Sequence, residues 1–207
     1  MNRRQSSDTT RVSAPDLQSL LAESSARHNH LCPRQILGVR IGLAGVGALG
    51  LEAPRQDKRL LVILETDGCF ADGVEVATGA TIGHRTLRIE DHGKIAATFV
   101  DVKLERSVRV SPQLDVRTKA GCYAPDEARH YFAQLQAYQT MPDDALLQFQ
   151  SVRLTPPSSV IVSRPSVRIN CDRCGEEVIN EREVNVGDLL LCRACAGHGY
   201  YALVGAR

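Results

Sequence analysis

The chain has 207 residues, enough for one medium domain and a small module. Apolar residues make up 43% and charged residues 24%, so there is material for a real core, and the lack of Trp makes that core aliphatic. A formal net charge of +1 excludes a global field drawing the protein to nucleic acid or acidic lipid, and no apolar run reaches the roughly 18 residues of a membrane-spanning helix.

Residues 1–14 are polar, lack the apolar stretch of a signal peptide, and read as a flexible tail on a cytoplasmic protein. Pro15–Asp16 opens a helix whose stripe is Leu17, Leu20, Leu21, Ser24 and His28, so His28 should emerge near its C-terminus. The string HNHLCPRQ is a corner, and Pro33 starts a second helix to about Leu49 with Ile36, Leu37, Ile41, Ala44 and Ala48 inward. Gly38, Gly42, Gly45 and Gly47 lower its helix propensity but permit close packing.

Arg59–Thr66 reads as a buried strand, Asp67–Asp72 as a loop, and the residues to about Thr81 as a short helix. LRIED and KIAATFVDV are expected to form a hairpin around Asp91-His92-Gly93, with Val108–Val110 as a further short strand. Pro125–Tyr138 and Asp143–Gln150 read as helical, and Val152–Leu154 as a return to the sheet. The stretch TPPSSVIVSRPS, with three prolines, marks a linker. The expected organisation is a core domain over 15–155, a linker over 156–166 and a finger over 167–207. The class is α+β: a helix-flanked mixed or antiparallel sheet with a small treble-clef-like module.

Seven cysteines in a reducing compartment point to metal or thiol chemistry rather than disulfides. Cys171 and Cys174, then seventeen residues, then Cys192 and Cys195 have the spacing of a structural four-thiolate zinc site. Two intervening residues let both sulfurs of a knuckle face one ion, and Gly175 can supply a positive φ. So short and polar a segment cannot bury a sufficient core, and metal binding must supply folding free energy. Unliganded or redox-active thiols and an iron–sulfur centre are the alternatives. The spacing resembles the DksA/TraR-type zinc finger, which implies protein contact or a transcription-linked role. From Arg168 onward five arginines face six acids with no aromatic platform, so nucleic-acid binding is disfavoured and a dimer or protein-partner contact fits better.

A second group is His28, His30 and Cys32 at the corner, with Cys69 after the buried strand. Cys32 precedes Pro33, where the unpaired N–H groups of a helix N-terminus stabilise a thiolate. If the two segments meet they form a His/Cys pocket for a transition metal, with Asp67 and Asp72 nearby. Cys69 and Asp72 are the candidates for nucleophile and base if the pocket is catalytic. A buried cysteine is otherwise a small hydrophobe, a histidine at a helix end a cap, and the aspartates helix caps. His84, His92, His130, His198 and Cys122 stand without local partners.

HNHLCPRQILGVRIG, followed by LLVILETDGCFADGVEVATGATIGHRTLRIEDHGKIAATF, resembles the formylmethanofuran dehydrogenase FmdE family over about Ser24 to Val110. The resemblance implies an α+β core, an intertwined homodimer and a pocket in which His28, His30 and Cys32 match the first motif and Cys69 and Asp72 the second. Gly79, Thr81 and Gly83 match the third, and Lys94 matches a lysine after the hairpin glycine. Asn29 and Arg34 replace usual glycines, Ala80 a frequent second cysteine and His84 a usual lysine. The function expected is a metal-binding accessory or sensor protein. The alternatives are a metal-dependent enzyme acting on a small molecule and a transcription-linked regulator.

Overall fold

In the computed structural model, residues 16–55, 57–162, 166–202 and 204 are described, so the expected tail and residues 163–165 of the expected linker lie outside them. Two units divide the chain, one ending at Thr155 and the other starting at Pro156.

Helix α1 (Leu17–His28) buries Leu20, Leu21 and Ser24 and ends on Asn29, whose φ of 62° turns the chain. Asn tolerates that left-handed conformation better than most residues. Helix α2 (Pro33–Ala48) begins with Pro33 in its first turn. Its buried stripe runs through Gly38, Gly42 and Gly45, while Ala44 is half-buried and Ala48 exposed. The expected inward face is therefore rotated toward the glycines. Helix α3 (Cys69–Thr78) lies on that stripe. A β-carbon at Gly38 would collide with the Phe70 carbonyl oxygen, and one at Gly73 with the Gln35 carbonyl oxygen. The two helices thus touch backbone to backbone.

The sheet contains β1 (Leu60–Leu64), β2 (Leu87–Ile89), β3 (Ala97–Asp101), β4 (Arg106–Pro112) and β5 (Leu147–Ser151), in the order β2-β1-β3-β4-β5. β2 runs parallel to β1, with Val62 opposite Leu87, and the remaining pairs are antiparallel. The expected hairpin of β2 with β3 is not formed, because β1 lies between them. The turn is nevertheless real: Asp91 Oδ1 accepts the Gly93 N–H at 3.0 Å. Its backbone crosses the end of β1, where the Glu65 carbonyl accepts the N–H groups of His92 and Lys94 at 2.9 and 3.1 Å. Turn chemistry fixes local backbone shape but does not select the strand that each arm will join.

Helices α4 (Val116–Tyr123), α5 (His130–Thr140) and α6 (Asp143–Leu146) complete the first unit. Pro125 falls between α4 and α5 rather than opening one helix. The chain leaves helical geometry at Leu147, so the second half of the expected helical piece over Asp143–Gln150 is β5, and Val152–Leu154 carries no strand. Arg40 of α2 fastens this region by donating to the Tyr138 and Met141 carbonyls at 2.9 and 2.7 Å. The core joins α1, α2, α3 and α5 to the sheet through aliphatic residues, with Phe70, Phe99 and Tyr138 as its large members.

In the second unit, α7 (Ser158–Ile161) lies within the expected linker. Two hairpins follow, β6 (Arg168–Asn170) with β7 (Glu177–Ile179) and β8 (Val184–Val186) with β9 (Leu189–Leu191). A short helical turn, Ala194–His198, comes last, with Gly197 at φ 91°. The result is an α+β protein with a mixed central sheet and a small C-terminal module. Among the described residues, no helix is long and apolar enough to cross a membrane.

Candidate metal centre

The C-terminal hairpins place Cys171 and Cys174 after β6 and Cys192 and Cys195 after β9. The sulfurs of all four lie within 4.8 Å of one another, and among the described residues no other set of three or more Cys, His, Asp or Glu ligand atoms converges so closely. The first knuckle closes when Gly175, at φ 79°, donates its N–H to the Cys171 carbonyl at 2.9 Å. Asp172 ties this knuckle to β9 by accepting the Leu190 N–H at 2.6 Å and donating its own N–H to the Leu190 carbonyl at 2.9 Å. Cys171 Sγ accepts the Cys192 N–H at 3.2 Å, and Cys192 Sγ accepts the Cys195 N–H at 3.4 Å.

Backbone N–H groups of Cys174 and Cys192 pull the Cys171 thiol down to about 6, while the adjacent Cys192 sulfur and burial push Cys195 up to about 12. One thiolate forms readily, and further negative charge on neighbouring sulfurs is opposed until a cation offsets it. The donor set fits a metal such as zinc. Four sulfurs at a zinc–sulfur distance of about 2.3 Å stand about 3.8 Å apart in a tetrahedron, and Cys174 Sγ lies 3.9 Å from Cys192 Sγ. Among the described residues the buried hydrophobic cluster of the module is Cys171, Val178 and Leu191, with Ile169 and Ala196 partly buried against it, too little to hold it together unaided.

The N-terminal corner brings its candidate residues together in pairs. Cys32 Sγ lies 3.1 Å from Cys69 Sγ, and His28 Nδ1 lies 3.1 Å from Asp72 Oδ2. The rings of His28 and His30 are 5.2 Å apart, with His30 exposed. Cys69 is the first residue of α3 rather than part of a loop, so both sulfurs sit at helix N-termini. Burial, and then the neighbouring Cys32 sulfur, push the Cys69 thiol up to about 11. Asp72 and Glu75 of α3 face the basic last turn of α1, where Arg27 reaches Glu75 at 3.5 Å. Burial raises the Glu75 carboxyl above its ordinary value while Arg27 opposes the shift.

Two supporting groups stand outside the expected site residues. Fully buried Gln35 accepts the Cys32 N–H at 2.9 Å, donates its own N–H to Cys32 Sγ at 3.4 Å, and reaches the Ser24 carbonyl at 2.8 Å. The string Cys-Pro-Arg-Gln is a capping box with cysteine in the serine position, a signal visible in the sequence. Glu65, between β1 and Cys69, forms a two-point ion pair with Arg109 of β4, whose second bond is 2.8 Å. The Arg109 guanidinium holds the Glu65 carboxyl below its ordinary value. Lys94 stands on the crossing segment just before β3, and Thr81 Oγ1 accepts the His84 N–H at 3.2 Å.

Residues 27–151 match the family described as FmdE, Molybdenum formylmethanofuran dehydrogenase operon. A protein of Archaeoglobus fulgidus named "Probable S-adenosyl-L-methionine-binding protein" is 29% identical over 215 residues, covering 91% of this chain and 55% of that protein. The chain thus spans about half the length of that curated relative. The crystal structure of a tungsten formylmethanofuran dehydrogenase FmdE-like protein from Syntrophus aciditrophicus matches with a TM-score of 0.58 at 20% identity, over 90% of this chain and 95% of that one. That likeness is one of fold.

Proposed function

Because the chain belongs to the FmdE family, we propose that it is a metal-binding accessory protein with two unlike sites. Cys171, Cys174, Cys192 and Cys195 hold a structural zinc, and His28, His30, Cys32 and Cys69 form a pocket for a second transition metal. The observation that carries this reading is the convergence of four sulfurs within 4.8 Å in a module with almost no core. Bound zinc supplies the folding free energy that Val178 and Leu191 cannot.

The second site is supported by the closeness of Cys32 and Cys69 and by the pairing of His28 with Asp72. A carboxylate on Nδ1 fixes the imidazole and leaves Nε2 as the ligating nitrogen. Four candidate ligands at one junction, two of them thiols, suit a borderline or soft metal. The protein works as a homodimer in this reading, and the C-terminal module serves dimer or partner contacts.

Metal analysis of the purified full-length protein, with light scattering for mass, tests the proposal. Two metals per chain are expected, falling to one in the His28→Ala/Cys32→Ser variant while the mass stays that of a dimer. One metal per chain, indifferent to those substitutions, removes the second site. Metal-free protein from a chelator-free preparation removes both.

A further inference from the structure

A cleft of about 540 Å³ opens between the first turn of α2, the segment leading into β3, the end of β4, and helices α4 and α5. That volume suits a small organic molecule. Four cationic side chains, Arg34, Lys94, Arg109 and Arg117, line it, and among the described residues no Asp or Glu does. In a chain of formal charge +1 this is local segregation of charge. Arg109 is already engaged by Glu65. Among the described residues, Arg34, Lys94 and Arg117 form no salt bridge and all three are exposed, Lys94 acting on the Glu65 carboxylate only at longer range. Leu37 and Ile95 add an apolar wall.

Solvated surface cations ordinarily disperse, because gathering like charges raises their mutual energy. Three cations without a salt bridge around one concavity, beside apolar surface and with no acid among the described lining residues, match a ligand that carries negative charge on an apolar body. We propose that this cleft binds a small organic anion bearing a phosphate or carboxylate group, which Arg34, Lys94 and Arg117 hold while its body rests on Leu37 and Ile95. The site requires no metal at either cysteine group, so it stands or falls separately from the function proposed above.

The test uses full-length protein and 8-anilinonaphthalene-1-sulfonate, an apolar ring system with one anionic group that fluoresces in apolar surroundings. Its affinity is compared in wild type, in Lys94→Gln/Arg117→Gln, and in Lys103→Gln/Lys119→Gln, which loses equal charge outside the cleft. The cleft variant is expected to bind at least about tenfold more weakly, the loss of charge-assisted contacts, and the comparator within about twofold of wild type. In wild type itself, inorganic pyrophosphate or citrate displaces the probe, and the more effective of the two distinguishes phosphate from carboxylate. Equal weakening in both variants, unchanged binding in the cleft variant, or failure of both anions to displace the probe would overturn the proposal.

Discussion

Cys171, Cys174, Cys192 and Cys195 are held by short-range bonds in a module whose hydrophobic cluster has three buried members among the described residues, whereas Cys32 and Cys69 are brought together by two helices packed into the main core. In the first group the peptide N–H groups of each knuckle point at the sulfurs of the same small unit. In the second the thiols are 37 residues apart, and their 3.1 Å approach depends on α2 and α3 meeting at Gly38 and Gly73. In the proposed reading the first group needs an ion in order to fold, and the second needs a fold in order to have its geometry. Metal and stability are then coupled in opposite directions at the two places.

The largest effect is expected at the proposed zinc site. Cys171→Ser, or strong chelation, should release a contribution on the order of 10 kcal/mol and abolish amide protection over residues 167–202. Hydrogen exchange should meanwhile leave the strands and helices of residues 17–151 protected. Equal loss of protection in the core would break the contrast. Next come Gly38→Ala and Gly73→Ala, which drive a methyl group into a facing carbonyl and should cost about 3 kcal/mol in urea denaturation. Diamide should then form the Cys32–Cys69 disulfide more slowly, with the metal content of the C-terminal module unchanged. An unaltered crosslinking rate would show that the helix contact does not set the thiol distance.

Arg109→Gln should cost about 2 kcal/mol at neutral pH by leaving Glu65 without its cation in a mostly buried position. Its pH dependence has a definite sign. Because Arg109 lowers the folded-state value of Glu65, the pair contributes stability above the ordinary value of 4.5 and loses it as pH falls through the lowered value. Urea midpoints of wild type and variant should therefore converge in acid. A gap that persists would assign the effect to packing. The smallest change is Gln35→Met, which keeps volume, removes the side-chain bonds to the Cys32 N–H and to Ser24 while leaving the backbone bond to Cys32 Sγ, and should cost about 1 kcal/mol. The His28 and His30 ring resonances should shift with it, reporting a loosened corner.

The C-terminal group was legible in the sequence because spacing alone carries it: two residues within each pair leave little choice of geometry. His28 at a helix end and Pro33 opening α2 were legible for the same local reason. The errors lie where partners are distant. The residues around Gly93 have turn chemistry, yet β1 decides the pairing, and it lies more than twenty residues earlier in the chain. Leu147–Ser151 follows four helical residues without a break in polarity, and only its partner β4 makes it a strand. Pro125 looked like a helix start, but Val116–Tyr123 had already supplied a helix with weak periodicity. The Glu65–Arg109 pair spans 44 residues, and no window along the chain contains both.

The central position of β1 bears on how the chain is made. Translation delivers the segment LLVIL before either strand that will flank it, since β2 ends at Ile89 and β3 at Asp101. Until then both edges of a wholly apolar segment remain open on a nascent polypeptide still attached to the ribosome. The glycine-lined contact between α2 and α3 is complete once Thr78 has been added, earlier than either neighbour. That helical pair is the first surface against which the waiting strand can lay one of its faces.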